Sequence, residues 1–361
     1  MVTRTRRTVV FSGMIRGCGL IPLLLAGAAS GRSPQTRPAS GPAAESVPRA
    51  IRCVVPTPGD WTGRGLTEAF ATAAGLAPVV CLPDPVDWFA AEGRSPEQSK
   101  AHRDAQWQRG LLARHRLGVF IQMDPYRDRR GPIGGLPAAA GPAHFGNPKL
   151  RHAFREDALS RVRLYQPAYV CLAMEINAYF EQHPEDFDNF VSLFHETRAE
   201  VRKVRPDALV FVSFQYEQLL GRFGGQAGLV PHEPHWKLLS RFDQADAVGI
   251  SSYPMTSLSP PRFGSPAELP ADYYRRLAAH TDKPIVFAEL GWPSDPRFGG
   301  SPESQAAFLR RLPDLLRGLD VRLINWNFLY DAKGYGEVFE SMGLITSDGR
   351  RKPAFEVFRG L

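Results

Sequence analysis

The sequence predicts an α/β chain folded as a single-domain (β/α)8 TIM barrel, and three observations carry that prediction. Eight short apolar runs recur along the chain. Amphipathic helical stretches lie between them. The side chains able to do chemistry gather just after the runs, where the C-terminal mouth of such a barrel would be.

The runs are Ala50–Val55, Ala77–Leu82, Leu117–Met123, Ala168–Met174, Ala208–Phe214, Ala245–Ser251, Pro284–Ala288 and Val321–Asn325. From the fourth onward they begin at a nearly constant interval (Ala168, Ala208, Ala245, Pro284, Val321). Each is almost continuously apolar, as parallel strands covered on both faces require. Between them, Pro184 to Val204 carries Phe187, Phe190, Val191, Phe194 and Val201 on one helical face. Ser301-Pro302-Glu303 reads as a cap with Pro at the first helical position, and Phe308, Leu309, Leu312, Leu315 and Leu316 continue that helix to Leu319. Asp272 to Ala279 and Pro353 to Phe358 are shorter examples. The units share no consensus, which argues against a solenoid. A doubly wound open sheet is the alternative architecture.

The 361 residues suffice for one barrel of this kind, which needs about 250 before insertions. Residues 1–30 are predicted to be an export signal. Arginines come first, then the apolar run Leu20–Leu25, then small residues to Ser30. Arg6-Arg7 followed by Thr8-Val9-Val10 resembles a twin-arginine signal, and the choice between that route and ordinary secretion stays open. Residues 31–48, rich in Pro, Ala, Ser and Gly, read as a disordered linker. The barrel then occupies 49–361. The expected location is periplasmic or extracellular, with no stable membrane span in the mature form; an uncleaved N-terminal anchor is the alternative. Net charge is +7, and four of the arginines behind it (Arg4, Arg6, Arg7, Arg16) lie in the signal. No basic run with interleaved aromatics occurs in the body, so no nucleic-acid partner is expected.

Cys53, Cys81 and Cys171 each sit in an apolar run and read as buried free thiols; one disulfide between Cys53 and Cys81, on neighbouring strands, stays open. His232-Glu233-Pro234-His235 superficially resembles a metal cluster. Pro234 forbids the helix that would pair two histidines at i, i+4, so no metal and no organic cofactor is expected, and the segment reads as a loop over the barrel mouth. Gly221 to Gly228 is glycine-rich but precedes no phosphate-binding helix after a strand. Arg127 to Gly146 reads as a long loop beside the mouth.

The predicted strand ends carry Asp87 and Trp88, Gln122 and Asp124, Glu175 and Asn177, Gln215 and Tyr216, Tyr253, Glu289 and Trp292, and Asn325 to Asn327. Glu175 and Glu289 stand out, because each directly follows apolar strand residues and is unfavourable to bury without partners. Two carboxylates converging on one mouth suit glycosidic cleavage. One acid protonates the leaving oxygen, and one carboxylate attacks the sugar carbon or activates water. The alternative is that both glutamates only tie the barrel end together through arginines. Trp88, Tyr126, Tyr179 and Tyr216 are candidate subsite aromatics, with simple rim packing as the alternative.

Pro284-Ile285-Val286-Phe287-Ala288-Glu289-Leu290-Gly291-Trp292-Pro293-Ser294 resembles the nucleophile strand of clan A retaining glycoside hydrolases, nearest to the plant-type endo-β-glucanase and endo-β-galactanase pattern. Ala168 to Asn177 resembles the acid/base strand, Gly249 to Pro254 the sixth strand, and Asn325-Trp326 the eighth. The ending Gly343-Leu344-Ile345, Asp348-Gly349 and Lys352-Pro353-Ala354 is similar to theirs, so the resemblance spans about residues 50 to 361. It implies a retaining hydrolase of a β-linked oligo- or polysaccharide, with Glu175 as acid/base, Glu289 as nucleophile, Tyr253 orienting Glu289, and Trp326 stacking on the sugar. Asp124, Gln215, Tyr216, Trp88, Tyr179 and Trp292 would join Asn177 in binding substrate. The family has Asn immediately before its acid/base glutamate, and this chain has Met174 there. Asn177 shares the face of Glu175 if the strand continues, and is the candidate replacement. No counterpart is found for the arginine that often ends strand two; Pro83-Asp84 stands there. The second functional reading is therefore a carbohydrate-binding barrel with weak or no turnover.

Overall fold

The computed structural model describes residues 50–126, 131–222, 232–256 and 263–361. The expected export signal and the whole of the linker that follows it lie outside these, as do parts of the loops expected at Arg127–Gly146 and Gly221–Gly228. Among the described residues no helix is long and apolar enough to cross a membrane.

The sheet is a barrel of parallel strands. In chain order they are β1 (Ile51–Val54), β2 (Val79–Pro85), β3 (Gly118–Asp124), β4 (Tyr169–Cys171), β5 (Leu209–Phe211), β6 (Ser213–Gln215), β7 (Val248–Ser252), β8 (Ile285–Leu290) and β9 (Val321–Trp326). They are hydrogen-bonded in the order β5-β4-β3-β2-β1-β9-β8-β7-β6. The two ends of that order, β5 and β6, are consecutive in the chain and separated only by Val212. They form one stave, paired with β4 on one side and β7 on the other, and the backbone carbonyl of Val212 accepts from Gly249 at 3.1 Å. Eight staves therefore close the ring, each matching one predicted apolar run.

Helices α1 (Gly63–Ala74), α2 (Lys100–His115), α3 (Pro148–Tyr165), α4 (Ile176–Gln182), α5 (Phe187–Val204), α6 (Tyr216–Leu219), α7 (Lys237–Ser240), α8 (Pro302–Leu315) and α9 (Pro353–Gly360) follow the strands. The stripe read on α5 is buried at Phe187, Phe190, Val191, Phe194 and Val201. Phe194 meets Phe242 edge-on at 5.1 Å, tying α5 to the segment before β7. Burial of each such side chain is worth about 1.5–3 kcal/mol. α8 starts as read: the Ser301 hydroxyl accepts from the Ser304 backbone, Ser304 returns the bond, and Pro302 needs no partner at the first position. The stretch expected as a helix at Asp272–Ala279 is only a 3₁₀ turn over Arg275–Ala279.

The three thiols are free and buried. The register sets Cys53 opposite Val79, so Cys81 lies two residues further along the neighbouring strand. Strand geometry then separates the two Cα atoms by roughly 8 Å, beyond disulfide reach. Burial pushes the Cys171 thiol up to about 12 and raises Cys53 and Cys81 as well, so all three stay protonated.

Behind the end of β2, Arg161 of α3 bridges Asp157 at 3.0 Å and Asp84 at 3.3 Å, and donates to the Pro85 carbonyl at 2.7 Å. The sequence offered no arginine at this strand end; a helix supplies one from the outer layer. Arg161→Ala would leave two carboxylates in the interior without their cation. The expected loss of stability is about 3–5 kcal/mol, measured by urea unfolding. A loss below about 1 kcal/mol would mean that water already compensates the pair.

Candidate active site

The C-terminal ends of the strands bring together Gln122 (β3), Tyr253 (after β7), Glu289 (β8) and Asn327 (after β9), and Glu175 follows β4 at the same end of the barrel. Glu289 is 4% exposed, and three donors among the described residues reach its carboxylate. Gln122 Nε2 donates to Oε1 at 2.9 Å, while the Tyr253 hydroxyl and Asn327 Nδ2 (3.3 Å) donate to Oε2. The Gln122 amide is itself fixed from below, where Cys81 Sγ donates to its oxygen at 3.3 Å.

A bulge aims Glu289. The pairing of β8 with β7 skips from Ile250↔Phe287 to Ser251↔Glu289, and the pairing with β9 jumps from Phe287↔Ile324 to Leu290↔Trp326. The extra residue re-aims the side chains that follow it. Asn325 Nδ2 donates to the carbonyl of Ala288 at 2.7 Å, satisfying a group that the bulge takes out of the ladder. Gly291 then lets the Tyr253 ring close in: a Cβ at this position would stand 2.8 Å from Tyr253 Cε1 and 2.6 Å from Met342 Sδ.

Glu175 is half-buried and adopts φ 46°, ψ 49°, a left-handed conformation that disfavours a side-chain-bearing residue. Its N–H donates to the Ser213 hydroxyl of β6 at 2.9 Å. Strain of this kind, about 1–3 kcal/mol, persists where the surroundings over-determine it and is concentrated at functional positions. The strand β4 ends at Cys171, four residues before Glu175. α4 begins at Ile176, so the alternation that would have put Asn177 beside Glu175 is broken. Asn177 is fully buried, its Oδ1 accepting the Gln215 N–H at 2.9 Å and its Nδ2 donating to the Gln215 carbonyl at 3.0 Å. It clamps α4 to β6 and faces no cleft.

Several expected binding residues are placed elsewhere. Trp326 is fully buried on the outer side of β9, with Nε1 donating to the Met342 carbonyl at 2.8 Å and the ring beside Phe308 of α8 and Phe358 of α9. The alternation of β9 turns Asn327 toward the mouth and Trp326 away from it. Trp292 is likewise buried, stacked on Phe308 at 5.1 Å, and Tyr216 sits among Tyr273, Tyr274 and Trp236. Tyr179 stacks on Tyr126 and donates to Asp186 at 2.6 Å; Trp88 donates to the Gly134 carbonyl at 2.7 Å and packs on Phe154. These are rim packing. Gln215 supports the mouth from behind, with Nε2 on Glu217 at 2.7 Å. Asp124 is half-buried, and its carboxylate accepts the Tyr126 N–H at 3.1 Å.

Trp326→Ala is expected to destabilise the fold by about 3–5 kcal/mol, as loss of a packed aromatic does. Thermal unfolding followed by circular dichroism measures it, and an unchanged melting temperature would take the ring out of the core.

The sequence reading missed Glu217, which follows β6. It is fully buried, and its carboxylate accepts from Gln215, Ser252 (2.5 Å), Tyr273 (2.9 Å) and the Tyr253 backbone (3.2 Å). Burial raises its pKa, and the hydrogen bonds work against that shift. By holding the Tyr253 backbone it positions the phenol on Glu289. No sequence signal marks Glu217, because glutamates at helix starts are common surface residues. The loop after β9 was also missed. There Phe328, Tyr335 and Phe339 gather beside Tyr253, and Trp61 lies 6.2 Å from Tyr335. Lys352 anchors this loop, donating to Asp331 at 2.7 Å, Ser294 at 2.8 Å and the Ser341 carbonyl at 3.0 Å.

No family model matches the sequence, and no curated protein matches it. Solved structures do. A GH5_18 protein from Bifidobacterium longum subsp. longum superposes with a TM-score of 0.61 at 14% identity, over 86% of this chain and 78% of that one. A GH5_18 protein from Streptomyces cattleya, solved with GlcNAc, gives 0.62 at 18% identity, over 87% and 80%. The exo-β-1,4-mannosidase Op5Man5 from Opitutaceae bacterium strain TAV5 gives 0.63 at 19% identity, over 86% of this chain and 59% of that one. A family 39 glycoside hydrolase from Bacteroides cellulosilyticus gives 0.54 at 14% identity, over 87% and 65%. At these identities the likeness establishes the fold, the TIM barrel that clan A glycoside hydrolases share. It does not bear on the galactanase-like or glucanase-like character of the strand motif.

Proposed function

We propose that the chain is a retaining β-glycosidase with Glu289 as nucleophile and Glu175 as acid/base. The observation that carries this reading is the Glu289 carboxylate, buried at the barrel mouth and oriented by Gln122, Tyr253 and Asn327. All three of these donors, among the described residues, are neutral groups that fix the aim of the carboxylate at the barrel mouth. Glu289 attacks the anomeric carbon as the bond to the leaving oxygen breaks, and Glu175 gives that oxygen its proton. Water then loses a proton to Glu175 and displaces Glu289, restoring both groups with net retention.

Sugar stacking passes from Trp326 to the loop aromatics. Trp61 and Tyr335 are half-buried at the mouth and present apolar faces of the kind a pyranose covers. With Asn177 spent on Gln215 and Gln122 held between Glu289 and Cys81, the partly buried Asn327 is the amide beside the nucleophile able to meet a sugar hydroxyl. β-Mannosides are the first substrates to try, since one similar structure is named an exo-β-1,4-mannosidase and one GH5_18 structure holds GlcNAc.

The test is a panel of aryl β-mannosides, β-glucosides and β-galactosides, together with β-linked oligosaccharides, with product anomers followed by NMR. Hydrolysis with first-formed product in the β configuration is expected. First-formed α product would overturn the double-displacement mechanism. The second reading, a carbohydrate-binding barrel without turnover, is favoured by Met174 in place of the amide and by the commitment of Asn177 elsewhere. Oligosaccharide binding without product, insensitive to Glu289→Gln, would establish it.

A further inference from the structure

His232 and His235 meet a third side chain that is distant in sequence. Glu181, on the last turn of α4, places Oε1 2.9 Å from His232 Nε2 and 3.7 Å from His235 Nδ1. The three donor atoms lie within 4.8 Å of one another, and all three side chains are partly buried. The helical spacing that Pro234 forbids is not needed, because the loop bends to bring both rings to α4. The rings lie face to face at 4.0 Å with an interplanar angle of 15°.

The loop is held in place by its backbone. The His232 N–H donates to the Gly221 carbonyl at 3.2 Å and the His235 N–H to the Leu219 carbonyl at 2.9 Å. Gly221, at φ 73°, permits this approach; a Cβ there would stand 1.8 Å from the His232 carbonyl oxygen. The backbone of both histidines is thus held independently of Glu181.

The hydrogen bonds of His232 raise a proton-counting problem. Its Nδ1 lies 2.7 Å from the Glu233 carbonyl, and its Nε2 lies 2.9 Å from the Glu181 carboxylate. Both neighbours are acceptors, and a neutral imidazole has one N–H. If that proton is on Nδ1, the Nε2 lone pair faces a carboxylate, and either a second proton or a metal cation must lie between them. His235 Nδ1 is sealed from solvent, makes no hydrogen bond among the described residues, and points at the same carboxylate oxygen.

We propose that Glu181, His232 and His235 form a site for a divalent transition metal of the zinc class, with water in the fourth position. Two neutral imidazoles and one carboxylate are the ligand set of such an ion, and tetrahedral ligands at its bond lengths stand about 3.3 Å apart. The observed 2.9 and 3.7 Å bracket that spacing. The Nδ1–H of His232 on a backbone carbonyl is the outer hydrogen bond that fixes a ligating tautomer. One ion accounts for the two facing acceptors and for the buried His235 nitrogen together. It would also tie the far end of α4, whose first residue follows Glu175, to the segment leaving β6. The site stands apart from the carboxylate pair and does not depend on the glycosidase reading.

The experiment is equilibrium dialysis of the untagged full chain, stripped with chelator, against Zn²⁺, with bound metal measured per chain. Co²⁺ is used in parallel for its visible spectrum. One equivalent is expected, with a tetrahedral Co²⁺ spectrum and a raised melting temperature. His235→Ala and Glu181→Gln, each checked for a native far-UV spectrum, should bind more than ~100-fold more weakly, since even loss of an outer partner weakens such sites 10–100-fold. The exposed His152→Ala is the control and should bind like wild type. Wild-type binding no tighter than that of His235→Ala would overturn the site and leave a protonated His232–Glu181 ion pair in its place. Because the readout is bound metal and not turnover, this outcome is separate from the fate of the hydrolase reading.

Discussion

Glu289→Gln is expected to lower kcat by about 10⁴-fold or more while the fold and the melting temperature are kept. The amide is the same size; its oxygen can still accept from Gln122 while its NH2 donates to the Tyr253 hydroxyl, so the packing at the mouth survives. What it loses is the negative charge that attacks the anomeric carbon, and removal of a nucleophile costs about this much in comparable two-step hydrolases. Oligosaccharide binding should be retained, which separates loss of chemistry from loss of structure. Isothermal titration with the intact oligosaccharide, beside single-turnover kinetics, makes that separation. A variant keeping more than about a tenth of wild-type kcat would remove Glu289 from the reaction coordinate.

Glu175→Ala should show a loss that depends on the leaving group. With an activated phenol, protonation is barely needed, and the first step should proceed nearly as in wild type. With an alkyl or sugar leaving group the loss should reach about 10²–10⁴-fold, the usual contribution of a placed general acid. The second step also loses its base, so a burst followed by slow turnover is expected with the activated substrate. Plotting kcat/KM against leaving-group pKa gives the check: a steep line for the variant and a shallow one for wild type. Parallel lines would strip Glu175 of its acid role. They would also mean that its left-handed backbone serves only to start α4.

Much of the architecture could be read along one dimension. Every barrel stave fell on a predicted apolar run, because a strand buried on both faces must be apolar almost throughout, and that pattern is local. The α5 stripe and the Ser301-Pro302 cap are equally local, set by helical period and by the chemistry of a helix start. The resemblance of the motif around Glu289 implied Tyr253 as its partner, and a hydrogen bond joins the two.

What each neighbouring side chain faces was decided only in three dimensions. One bulged residue in β8 resets the aim of everything after it, and the early end of β4 at Cys171, with left-handed Glu175 leading into α4, replaces an expected strand end by a helix start. Hence Asn327 faces the mouth where Trp326 was expected, and Asn177 turns into a clamp. Such choices rest on a half-turn of backbone, which residue type does not report. Partners distant in sequence escaped for a related reason. Arg161 behind Asp84, Glu217 behind Tyr253 and Glu181 beside His232 come from elements whose own patterns say nothing of where closure of the barrel will carry them.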